Sequence, residues 1–174
     1  MSNTEETMTI NSAIANLSAQ EGIARVKARR ILVEIGEPAI APLVETLASD
    51  NQWVRWEAAR ALGQIDSPKA VPALVKAMDD KMFDVRWLVA QGMITRGILS
   101  ETPLEDLKPL FLAIMENSDS LWLVEGAHHV VHDISHVRKD IEGKLKPLLE
   151  ALEDVEPSVE APLIARTLLE TLEK

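Results

Sequence analysis

All four histidines of the chain fall within nine residues, His128, His129, His132 and His136, in the run WLVEGAHHVVHDISH. On a helix His128, His132 and His136 follow at single-turn spacing, and Glu125, His129 and Asp133 form a second row at the same interval. Imidazoles and carboxylates so spaced are donors that zinc or iron accept. Three features weigh against a metal. His128 and His129 diverge by about 100°, no second helix supplies further ligands, and His136 falls where the helix should end, where a histidine simply complements the helix dipole. Glu125, His128, His129, His132, Asp133 and His136 are therefore read as structural side chains before metal ligands, and no metal or other cofactor is expected.

Two further patterns could act on a partner. Arg25, Arg55 and Arg86 recur at intervals of 30 and 31 residues, with acids such as Asp50 and Asp80 nearby. Guanidinium forks at such intervals suit a ladder of bonds to carboxylates and helix-end carbonyls, ahead of an anion-binding strip. Trp53, Trp56, Trp87 and Trp122 stand at the starts of helical segments. They suit packing between helices first and anchors for a partner second, Trp and Arg being the residues that dominate binding hot spots. No GxSxG, P-loop, GxGxxG or HExxH occurs, and the paired acids Asp79-Asp80 and Glu153-Asp154 lie at segment ends. Catalysis by the chain itself is not expected.

Composition narrows the partners. The absence of cysteine excludes disulfides and thiolate sites. A net charge of −10 makes the chain a poor grip for a polyanion, although the charge is uneven. Residues 51–100 carry +2 and residues 101–174 carry −9. The acidic start MSNTEETMT and the lack of a long uncharged apolar run predict no targeting peptide, no membrane span and a cytoplasmic setting.

The elements that place these residues come from self-similarity. VRWEAARALGQI from Val54 repeats as VRWLVAQGMITR from Val85, and ARVKARRILVEIG from Ala24 aligns ahead of both. PAIAPLVETLASD from Pro38 matches KAVPALVKAMDD from Lys69, and two looser copies begin at Pro103 and Glu142. A period near 30 residues marks a solenoid. Val54, Ala58, Ala61, Leu62 and Ile65 line one helix face, and Val71, Leu74, Val75 and Met78 line another. Asp66-Ser67-Pro68 stops one helix and opens the next. The expected fold is all-α, a right-handed α-α superhelix of about four helical hairpins with capping helices, in one domain over 1–174. Residues 1–8 are expected to be unordered and 9–19 to form an N-terminal cap. Hairpins should cover 22–48, 53–79, 84–117 and 121–153, with a closing helix over 158–173.

With VRWEAARALG followed by SPKAVPALVKAMDD, the chain resembles the HEAT-repeat superfamily and, within it, the phycobilin-lyase-type HEAT-like repeats, over about residues 20–155. The resemblance implies a HEAT-like α-solenoid and, most often in that superfamily, a protein-binding scaffold. Its di-iron hydroxylases carry His-Glu pairs at the starts of first helices. Here those places read Trp56-Glu57 and Trp87-Leu88, so that activity is not implied. The leading expectation is a non-enzymatic protein–protein interaction scaffold. A bilin-lyase-like or cofactor-handling subunit is the alternative, and a HEAT-type nucleic-acid binder the second. Candidate contacts are Glu45, Lys76, Lys108, Lys144, Lys146 and Glu150 on second helices, beside the four tryptophans. A protein partner is expected, and nucleic acid, membrane and small molecules are not.

Overall fold

The computed structural model describes residues 3–99, 104–154 and 157–172. They form ten α-helices and, among the described residues, no strand: α1 (Asn3–Asn16), α2 (Gly22–Ile35), α3 (Ile40–Thr46), α4 (Gln52–Gln64), α5 (Val71–Ala77), α6 (Phe83–Leu99), α7 (Lys108–Glu116), α8 (Leu121–Val137), α9 (Lys139–Leu152) and α10 (Pro157–Leu172). The expected all-α helical repeat is the observed fold. α2, α4, α6 and α8 pack successively side by side as first helices, and α3, α5, α7 and α9 follow them in sequence.

Local chemistry sets the helix ends. The Asn51 side chain accepts the Trp53 N–H at 3.0 Å to open α4, and Ser120 Oγ accepts the Leu123 N–H at 3.3 Å to open α8. Gly36 ends α2 with a φ of 75°, a left-handed conformation that a side chain would disfavour. In the first two repeats a 3-10 turn (Glu37–Ala39, Pro68–Ala70), with proline near its start, replaces the first turn of the second helix, leaving α3 and α5 seven residues each. The core is the union of the helix stripes: Val54 and Val85 are both buried, and Leu43, Leu62, Leu74, Met78, Phe111 and Leu145 are fully covered.

α4 and α6 approach most closely at two glycines. A Cβ on Gly92 would lie 2.7 Å from the Gly63 Cα, so the two backbones touch. Gly63 ends the small-residue run Ala58, Ala59, Ala61, Gly63 of α4, and Gly92 faces it from α6.

One boundary differs from expectation. Residues 3–8 are helical rather than unordered: α1 runs from Asn3, and residues 1 and 2 lie outside the described residues. Its buried stripe of Ile10, Ala13 and Leu17 packs on α2 and α3, and Glu5 and Glu6 suit the positive end of a helix extended from that anchor. In the fourth copy α8 and α9 are joined through Arg138 alone, and Pro147 lies inside α9. The last helix does more than close the end. α10 packs along α7 as well as α9, covering the strongly apolar α7. The final residues of the expected closing helix, 173 and 174, lie outside the described residues.

Candidate functional site

The arginine column is a ladder. In each repeat one guanidinium N–H reaches back six residues to the turn before its own helix: Arg25 to the Ala19 carbonyl at 2.8 Å, Arg55 to Ser49 at 3.0 Å, Arg86 to Asp80 at 2.9 Å. The second partner changes along the column. Arg25 lies 3.7 Å from Glu57, and Arg55 grips Asp80 with two parallel bonds, Nε to Oδ2 at 2.7 Å and Nη2 to Oδ1 at 3.1 Å. Arg86 has no carboxylate among the described residues; it lies over the rings of Trp122, 4.5 Å from the centroid, and Phe83, 5.6 Å.

These pairings set the local electrostatics. Burial pushes the Asp80 pKa up, but the Arg55 hydrogen bonds, the Met82 N–H at 2.8 Å and the charges of Arg55 and Lys81 outweigh it, and the carboxyl ends below the usual aspartate range. Asp80 in turn holds the Arg55 guanidinium above its ordinary value, against the opposing effect of burial. Beside the column, buried Arg29 donates to buried Glu57 at 2.6 Å, joining α2 to α4. Sequence reasoning missed this pair. The available signal was Glu57 standing three residues after Val54, on the face that is otherwise apolar.

The exposed chemistry gathers between α6 and α8. A groove of about 240 Å3 is lined by Phe83, Arg86, Trp87 and Ala90 on one side and by Trp122, Glu125, Gly126, His128 and His129 on the other. Phe83 and Trp87, one turn apart, stack at 6.4 Å, and His129 tilts against Trp87 at 5.0 Å. Phe83, Trp87 and Trp122 keep 56%, 44% and 43% of their surface exposed. Leu121 is exposed as well, because it is the first residue of α8 and precedes the buried stripe.

Of the sequence candidates, the structure therefore brings together Trp87, Trp122, Glu125, His128 and His129, adds Phe83 and Arg86, and leaves the others elsewhere. Trp56 packs against the core under Arg60, whose guanidinium lies 5.0 Å from the ring centre. Trp53 is exposed and lines a separate recess with Arg25. Trp87 meets His129 and Trp122 meets Arg86 across α6 and α8, yet both rings, like Trp53, keep large exposed surfaces. The histidines divide between two directions. His128 meets Glu153 at 3.2 Å, His132 meets Asp133 at 2.9 Å, and His132 and His136 stack at 6.2 Å along an exposed stripe. Among the described residues no three histidine or acidic groups come together in a way that could hold a metal ion.

The second-helix candidates Glu45, Lys76, Lys144, Lys146 and Glu150 are exposed, and Lys108 is half-buried. Lys146 and Glu150 lie 3.7 Å apart on α9. They form no single strip, since α9 packs on α8 and α10 while α10 occupies the flank of α7. Lys76 borders a recess of about 340 Å3 between α3 and α5, with Val44, Leu47, Ala73 and Asp80.

Comparison with known proteins bears on the fold. The HEAT-repeat family matches residues 10–94. The chain is similar to a chain in the complex of CpcE and CpcF of phycocyanin lyase from Nostoc sp. PCC7120, at 22% identity and a TM-score of 0.53, covering 94% of this chain and 99% of that one. An engineered protein is 18% identical with a TM-score of 0.42, over 91% of this chain and 80% of its own. No curated protein sequence matches. No helix among the described residues is long and apolar enough to cross a membrane.

Proposed function

We propose a non-enzymatic role as a protein–protein interaction scaffold in the cytoplasm, a reading supported by the HEAT-repeat match over residues 10–94 and by the fold likeness to a chain from a phycocyanin lyase complex. One observation carries it: Phe83, Trp87 and Trp122 stay exposed around one groove instead of joining the core a few ångströms away. Aromatic side chains clustered with an arginine are the composition of an interface hot spot. A repeat stack suits the role because each layer is supported by its neighbours, which leaves outward side chains free to vary.

The test is affinity capture with the wild-type chain and a Trp87→Ala/Trp122→Ala variant whose helicity matches wild type. Loss of the captured protein in the variant supports the groove as the contact; undiminished capture removes it. A second reading, a bilin-lyase-like subunit, draws on the near full-length likeness to a chain of the CpcE–CpcF complex. New visible absorbance on an acceptor protein after mixing with bilin would favour it, and unchanged spectra would dismiss it.

A further inference from the structure

Within the arginine column one member is incomplete. Arg25 and Arg55 each make the backward bond to a turn carbonyl and also face a carboxylate, Glu57 and Asp80. Arg86 makes the same backward bond, yet no carboxylate among the described residues reaches it. Its plane is held by Trp122 and Phe83, and a guanidinium carries five N–H donors, so donors remain beyond the one given to Asp80. Those rings are walls of the groove between α6 and α8. The cation is thus half-buried in the lining of an aromatic recess, without, among the described residues, the carboxylate that Arg25 and Arg55 face.

Resting on the scaffold reading above, we propose that this groove receives an acidic, apolar segment of a partner protein, whose carboxylate binds Arg86 and whose neighbouring aliphatic side chain lies between Trp87 and Trp122. Arg86 is the single lysine or arginine of the lining and belongs to residues 51–100, which carry +2, while the α8 wall belongs to the −9 stretch. Glu125 is the single acid of the lining and sits on the α8 wall, three residues beyond Trp122. A stacked, planar fork matches a carboxylate in a way that a lysine would not.

The probe is a blocked heptapeptide with one aspartate flanked by leucines, paired with its asparagine twin. Binding to the full chain is followed by the indole N–H signals of Trp87 and Trp122. The aspartate peptide should shift both signals saturably, bind at least about tenfold more tightly than its twin, and weaken as salt is raised. Arg86→Gln should erase the difference between the peptides, Arg86→Lys should keep part of it, and Lys27→Gln, on α2, should change nothing. Equal binding of the two peptides to the unaltered protein, or no shift of either indole, overturns the proposal without relying on any variant's folding. Equally tight binding of isovalerate would point to a small carboxylic acid and overturn the partner segment. If affinity capture needs Trp87 and Trp122 but survives Arg86→Gln, the scaffold stands and this inference falls.

Discussion

The first two repeats and the next two solve the same packing problem with different side chains. Between α2 and α5, opposite charges join the layers: Arg29 with Glu57, Arg55 with Asp80, and at the far turns Lys69 and Ser67 with Glu37. Between α6 and α8, rings and hydrocarbon take those places. Leu88 stands where the repeat would put a second Glu57, and Arg86 rests on Phe83 and Trp122. Paired charges satisfy each other within the fold and leave little for an outside partner. Rings stacked at the surface leave faces and edges open. The regular half is therefore well suited to hold register, and the looser half carries the groove.

The comparison can be broken at its charged end. Glu57→Ala strands the Arg29 cation, which is buried and already has its Nε without a partner. A loss of about 3–5 kcal/mol is expected in urea unfolding. The double change Arg29→Met/Glu57→Leu, which copies the apolar solution of the third repeat, should recover most of that loss; if it does not, the two halves are not interchangeable at this layer.

Asp80→Asn should cost about 1.5–3 kcal/mol by removing a charge-assisted fork. It should also change the response to acid. Because the folded Asp80 pKa is depressed, its stabilisation is complete above the unfolded value of about 3.9 and is lost as pH falls through the lower folded value. Thermal melts of wild type should therefore fall between pH 4 and more acidic conditions, with a shallower fall for the variant.

Where charged and aromatic halves meet, Gly92→Ala tests the contact of α4 with α6. The new methyl group would press on the Gly63 backbone, which cannot rotate away. A loss of about 1–3 kcal/mol is expected. The smallest effect has the opposite sign: Gly143 lies in α9 with nothing within 4 Å of an added Cβ, so Gly143→Ala should stabilise by about 0.5–1 kcal/mol.

Much of this architecture was legible because repetition is a strong signal. Val54 and Val85, Leu43 and Leu74, and Arg25, Arg55 and Arg86 could be aligned by spacing alone, and spacing determines which face of a helix a residue occupies. That was enough for the helix pairs and for the bonds from the arginine column to the turns. It was not enough for the site. Which side chains share the recess depends on α6 and α8 lying together across 38 residues of chain, and no local pattern reports whether Trp87 ends under a neighbour or beside a gap. The return of α10 onto α7, and the meeting of Arg29 with Glu57, are likewise settled by which apolar surfaces remained to be covered once the helices had packed. Periodicity determines a helix's inward face by itself; what that face meets is decided only by the free energy of the whole assembled stack.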